Sequence, residues 1–158
     1  MSTKNYLRLF KRFEAIDQKI LTRLKTANQN AFVKLWISQK DYVKHLKKRL
    51  KRGDVKNRAD YYKKTITAYC QPREIFYLKA KLPSSLDKVF FISETWVDIF
   101  TPDGVLITSF PLKTSKEDLL KNPKNRAYKA FVIPLTLHAR KKDIICQKRT
   151  SHASDNSS

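Results

Sequence analysis

Glycine is nearly missing from this chain: Gly53 and Gly104 are the only two in 158 residues. That scarcity excludes a glycine-rich phosphate loop of the mononucleotide or dinucleotide type, and no Gly-x-Ser-x-Gly nucleophile elbow occurs. Cysteine is as scarce. Cys70 and Cys146 stand far apart, in no CxxC or Cys/His spacing, which excludes a zinc module. Two thiols in a chain of this length fit a reducing compartment, with a single disulfide left open. Carboxylates number only 14 and are scattered, so the converging set that a divalent-metal nuclease needs is not in view. No metal and no cofactor is expected. Long apolar runs are missing too: no aliphatic or aromatic stretch exceeds four residues, as in Val89-Phe90-Phe91-Ile92, far below a membrane span. Lys4, Arg8, Lys11 and Arg12 break up the N-terminal apolar residues, so a signal peptide is not expected. Together these absences predict a cytoplasmic protein with no membrane partner.

Positive charge is what the chain has in excess. Thirty-four Lys and Arg against 14 Asp and Glu leave a formal net charge of +20. Such an excess repels itself unless an anion is usually nearby, and the natural anion is a phosphate backbone, whose neutralisation releases counterions. RNA is the expected partner; an acidic membrane surface and mere cationic solubility are the competing explanations. The apolar fraction of 41% is that of a globular protein, and the length suits one domain.

Residues 4 to 26 place Tyr6, Leu9, Phe10, Phe13, Ile16, Ile20 and Leu24 at spacings of three and four, predicting a long amphipathic helix. A second helix is bracketed by a capping box, Ser38 followed by Asp41, and by Gly53 at the C-cap; Tyr42, Val43, Leu46 and Leu50 form its expected inner face. A third is expected from an Asp60 N-cap to Gln71, stopped by Pro72, with Tyr62, Ile66 and Tyr69 inside. The chain then turns to aromatic and β-branched residues. Residues 74 to 80, 88 to 100 and 105 to 111 read as strands, with Thr101-Pro102-Asp103-Gly104 as a turn. A short helix near Ser115 to Lys121, a loop around Asn122-Pro123 and a further strand within Ala130 to Leu137 follow. From about Arg149 the chain is Ser-rich and expected to be disordered. Helices first and an antiparallel sheet afterwards define the α+β class.

Two elements can carry chemistry. On the second helix Lys44, Lys47, Lys48 and Lys51 fall on the solvent side, whereas His45 and Arg49 land beside the apolar arc. A histidine at a helix margin is as often structural as functional. On the hairpin, a three-residue turn pairs Thr101 with Val105, and counting back sets Asp98 opposite Thr108 and Trp96 opposite Phe110. That face would offer a polar pair flanked by exposed rings, a floor for a nucleotide. Val97, Ile99 and Ile107 would point to the helices. A cross-strand Asp–Thr hydrogen bond with aromatic packing explains the same residues without a ligand.

The run from Asp41 to Val55 has the form H-x3-R-x3-G-x-[IV], carried by His45, Arg49, Gly53 and Val55. It is followed by Asp60-Tyr61-Tyr62 and then by the hairpin ending Val105-Leu106-Ile107-Thr108-Ser109-Phe110-Pro111. That order resembles the barnase/EndoU/colicin/RelE-like (BECR-fold) ribonuclease superfamily, especially its toxin and phage-associated branches, over about residues 41 to 112. The resemblance implies N-terminal helices on a twisted antiparallel sheet and metal-independent cleavage of RNA by transphosphorylation to a 2′,3′-cyclic phosphate. It implies His45 as the acid or base, Arg49 on the phosphate and Thr108 on a non-bridging oxygen. Lys48, Arg52, Lys79, Lys81, Trp96 and Phe110 are the expected substrate-binding residues. For a second acid or base, Tyr69, Lys79, Lys81 and Glu94 are candidates, and His138 matches no motif position. By the same analogy the protein is a toxin or mobile-element effector with a neutralising partner protein. The corresponding division is a helical extension over residues 1–37, a ribonuclease-type domain over 38–148 and a tail over 149–158. The alternative is a non-catalytic basic nucleic-acid-binding protein using the same surface; docking of the basic N-terminal helix on a membrane or protein is a third.

Overall fold

A computed structural model describes residues 3–28, 30–121 and 127–138. Four α-helices are bounded within them, α1 (Thr3–Leu24), α2 (Gln39–Lys51), α3 (Arg58–Cys70) and the short α4 (Lys116–Leu120), with a 3-10 helix (Phe32–Leu35) between α1 and α2. Five strands accompany them, β1 (Glu74–Ala80), β2 (Lys88–Ile92), β3 (Trp96–Phe100), β4 (Leu106–Pro111) and β5 (Tyr128–Ile133). The strands form one antiparallel sheet in the order β4-β3-β2-β1-β5, not closed into a barrel, so the protein is α+β as the sequence predicts. The expected tail and the Asn122-Pro123 loop lie outside the described residues.

Helix ends follow their chemistry. Ser38 Oγ accepts from the Asp41 amide, and Gly53 takes φ +72° just past α2. The N-cap of α3 is Asn57, three residues before the expected Asp60: Asn57 Oδ1 accepts from the Asp60 amide, while the Asp60 carboxylate reaches back to the Lys56 amide. The inner face of α2 is also rotated from the expected one. Leu50 is exposed and Arg49 is buried, because Asp54 supplies a counter-charge 2.9 Å from Arg49 Nη1.

Helices α1 and α3 cover one face of the sheet. Phe13, Ile16 and Ile20 from α1 and Tyr61, Ile66 and Tyr69 from α3 pack there against Ile75, Tyr77, Val89, Phe91, Trp96 and Phe100. Helix α1 is thus part of the core that the sheet builds. The hairpin tip docks on it so closely that a Cβ at Gly104 (φ +79°) would meet the Ile20 amide nitrogen at 2.9 Å. The other face carries Phe76, Leu78, Phe90, Ile92, Val97 and Ile99, flanked by Ile107, Phe110, Leu119 and Leu120.

The β3–β4 register differs from the counted one by a single residue. Thr101 does bond to Val105, its amide donating to the Val105 carbonyl, and Phe100 pairs with Leu106. Ile99 then pairs with Thr108, which leaves Ile107 as a bulge. Asp98 therefore faces Ser109 and Trp96 faces Pro111. One extra residue exchanges the faces of the paired positions: Trp96 and Asp98 enter the helix-covered core, Val97 and Ile99 point the other way.

Cys70 is disulfide-bonded and is not a thiol, and Cys146 lies outside the described residues.

Candidate functional site

The segment that leads into α2 decides where that helix sits. The Ile37 amide donates to the Leu106 carbonyl at 3.0 Å, and Trp36 makes a parallel bridge with Leu106. Tyr61 on α3 donates its hydroxyl to the Ser109 carbonyl at 2.7 Å. Both contacts use the outer edge of β4, so α2 is held alongside that strand. The face of α2 carrying His45, Arg49 and Arg52 then overlooks the rim where the sheet turns from its helix-covered side to its other side.

A pocket of about 540 Å³ opens there. Its lining includes His45, Lys48, Arg49 and Arg52 from α2, Phe90 and Ile99 from the sheet, and Ile107, Thr108 and Phe110 from β4. Lys88, Lys113, Thr114 and Leu119 complete much of the rim. The bulge matters directly, since it turns both Ile107 and Thr108 to this side while Leu106 and Ser109 stay buried on the other.

The His45 ring stacks on Trp36, with centroids 5.2 Å apart and planes at 25°. Burial, then the Arg49 guanidinium, with smaller help from Lys44 and Lys48, push its pKa below the ordinary histidine value, and Asp41 pulls the other way. The imidazole is therefore neutral near pH 7 and suited to accept a proton. Arg49 is 5% exposed. Its Nη1 lies 2.9 Å from Asp54 Oδ2, while its buried Nε has no hydrogen-bond partner among the described residues. Asp54 Oδ1 also holds Lys113 Nζ at 3.2 Å. One buried carboxylate thus fixes two cations of the pocket. The lining contains no Asp or Glu, so polar chemistry there rests on one imidazole, five cations and two threonine hydroxyls.

Of the residues singled out from sequence, His45, Arg49, Thr108, Lys48, Arg52 and Phe110 come together in this pocket. Trp96, Lys79 and Lys81 do not. Trp96 is 4% exposed beneath Tyr61, with its Nε1 donating to Ser109 Oγ at 2.6 Å, so it offers no surface for a base. Asp98 is fully buried beside the same hydroxyl, 2.8 Å from Ser109 Oγ, and burial holds its carboxyl well above the usual range. Lys79 and Lys81 are exposed on the far side of β1, where the pairing runs to β5. Glu94 pairs with Arg73 in the open β2–β3 connection. Tyr69 is buried and donates to Asp17 Oδ1 at 2.5 Å. His138 is buried in the same cluster, 2.9 Å from Asp17 Oδ2 and 2.6 Å from the Tyr69 carbonyl oxygen, distant in role from the pocket.

Sequence reasoning missed Lys88 and Lys113. Period-two alternation from Phe90 places Lys88 on the pocket face of β2, which was a usable signal. Lys113 follows β4 in a loop and had none. Among the described residues no group of three or more His, Cys, Asp or Glu is placed to hold a metal ion, and no helix is long and apolar enough to cross a membrane.

Comparison with curated proteins and with solved structures gives no match. A family model, described as "Uncharacterised protein aq_aa01", matches residues 26–130, a span that holds all of α2, the hairpin and every pocket residue named above. The chain belongs to the aq_aa01 family.

Proposed function

We propose that the protein is a metal-independent RNA endonuclease that cleaves by transphosphorylation. The observation that carries this proposal is the meeting of His45, Arg49 and Thr108, chosen from sequence on two separate elements, in one cation-lined pocket. In the proposed reaction the neutral His45 takes the proton of an RNA 2′-hydroxyl, and that oxygen attacks the adjacent phosphorus. The bond from phosphorus to the 5′-oxygen breaks, leaving a 2′,3′-cyclic phosphate. The departing oxygen takes a proton from an ammonium group of the rim, Lys88 or Lys113. Arg49, held by Asp54, balances the charge that grows on the phosphorane, and Thr108 hydrogen-bonds a non-bridging oxygen. Phe110 and Ile107, both partly exposed, give a base an apolar floor.

A toxin or mobile-element role, with a neutralising partner protein, rests on the ribonuclease resemblance alone. A cytoplasmic location rests instead on the scarcity of cysteine and on the charges that interrupt the N-terminal apolar residues.

Purified protein is expected to cut single-stranded RNA in excess EDTA and to leave cyclic phosphate ends. His45→Ala should lower the rate by about 10²- to 10⁴-fold, the usual contribution of a positioned acid or base, with RNA affinity retained. Wild-type protein that binds RNA and never cuts it would overturn the enzymatic proposal. One observation favours that second reading, a non-catalytic RNA-binding protein: the lining holds a single imidazole and no carboxylate to act as its acid–base partner.

A further inference from the structure

The cations of α2 do not end at the pocket. At 100° per residue Lys40, Lys44, Lys47 and Lys51 fall within an arc of about 60° on the solvent side. All four are exposed, and none is in an ion pair among the described residues. Going round the helix from that arc, Lys48 comes next, then Arg52, His45 and the buried Arg49. Positive charge thus runs from open solvent to the pocket along the last two turns of the helix. The one carboxylate on this side, Asp41, lies in the first turn and is engaged by the Ser38 hydroxyl at 2.7 Å.

Successive lysines of the ridge are three or four residues apart, a rise of about 4.5 to 6 Å, and the four span about 16 Å. Such a ladder suits consecutive phosphates of an extended strand, each met by one ammonium group. A compact anion would leave most of it unused. The pocket floor adds a second constraint: a base that reaches Ile107 and Phe110 must be unstacked and unpaired.

We infer that the solvent face of α2 is a track for the phosphate backbone of single-stranded RNA. It guides the strand along Lys40, Lys44, Lys47 and Lys51 and bends it over Lys48 and Arg52 into the pocket. That the pocket receives the scissile phosphate rests on the ribonuclease reading above; that the ridge binds the strand does not. The substrate is accordingly a polymer with at least three phosphates beyond the one in the pocket.

The test uses the full chain and a fluorescent oligonucleotide carrying 2′-deoxy sugars throughout, which cannot be cleaved by this chemistry. Changing Lys40, Lys44, Lys47 and Lys51 together to Gln keeps helix propensity. A control set of equal charge loss, Lys4, Arg8, Lys11 and Lys19 changed to Gln, lies on α1. The ridge set should weaken binding at least tenfold at low salt and lower the slope of log K against log salt by about 0.7 for each phosphate no longer neutralised. The control set should change affinity less than threefold and leave the slope alone. Equal effects of the two sets would show diffuse attraction and overturn the track, as would tighter binding to anionic vesicles than to the oligonucleotide. Track and enzyme can fail separately. A wild type that binds through the ridge but never cuts RNA sinks only the enzyme, whereas one that cuts with equal losses in both sets sinks only the track.

Discussion

Two histidines, one in the helix-covered core and one lining the pocket beside β4, divide the molecule into a part that holds and a part that can react. His138 is fully buried between α1, α3 and β2, ringed by Phe13, Tyr69 and Phe91. Its Nε2 faces the Tyr69 carbonyl, which can only accept, and its Nδ1 faces Asp17, whose other oxygen takes the Tyr69 hydroxyl. Every polar atom in that cluster has a partner, and the result is a pin between α1, α3 and the chain just past β5. His45 is half-buried, rests on one aromatic face, and lines a pocket whose other polar groups are cations and hydroxyls. Residue type is the same in both cases. What differs is whether the neighbours use up the ring's hydrogen-bonding capacity or leave it for something that arrives.

Exchanging alanine for each in turn should break the comparison most visibly. His138→Ala leaves Asp17 buried without half of its partners and opens a hole among three aromatic rings. A loss of about 3 to 5 kcal/mol is expected in urea unfolding. His45→Ala should stay within about 1 kcal/mol of wild type in the same assay and lose cleavage instead. The reverse pattern, a stable His138 variant and an unfolded His45 variant, would mean that the roles of the two sites have been misassigned.

The next effect concerns Asp54, which belongs to both regions because it is buried and yet fixes the pocket's cations. Asp54→Asn keeps the shape and removes the charge that Arg49 and Lys113 face. Arg49 would then be buried with no counter-charge, at a cost of about 3 kcal/mol, and a displaced guanidinium would slow cleavage by up to about 10²-fold. The exposed pair Arg73–Glu94 is the contrast, since solvent screens it and Glu94→Gln should cost less than about 1 kcal/mol. Equal losses from the two substitutions, measured by denaturant midpoint, would show that burial of the Arg49–Asp54 pair has no energetic consequence.

How much of this was legible in the chain differs between the same two regions. The elements were: Ser38 and Gly53 bracket α2, Thr101-Pro102-Asp103-Gly104 makes the turn, and the aromatic runs make strands. The α2 half of the pocket was also legible, since helical spacing alone sets His45, Arg49 and Arg52 on neighbouring positions. The sheet half was not. Strand faces alternate with a period of two, so one bulged residue at Ile107 pairs Thr108 with Ile99 and Phe110 with Val97 and parts them from Asp98 and Trp96, and no residue type announces such a bulge. Arg49 shows a second limit. Its burial depends on Asp54, and a pattern reading that scores arginine as outward cannot see a counter-charge that arrives from beyond the helix end.

The smallest expected effect is the most direct measure of how far the His45 side differs from an ordinary surface. Burial and the cations of Arg49, Lys44 and Lys48 all disfavour the imidazolium, and only Asp41 favours it. The folded protein is then harder to protonate at this position than the unfolded chain. In the interval below the ordinary histidine value the unfolded state binds more protons, so stability rises with pH across it. The contribution is complete above the ordinary value and is lost as pH falls through the lowered one. Removing one cation with Lys44→Gln should move the His45 titration upward, and Asp41→Asn should move it downward. The ring's C2 proton resonance, assigned by its loss in His45→Ala, reports both. The acid limb of the kcat/KM profile should shift in the same directions if His45 is the base, because cleavage requires the neutral ring. A limb that ignores both substitutions while the resonance follows them would take the base role away from His45 and leave it as a binding residue.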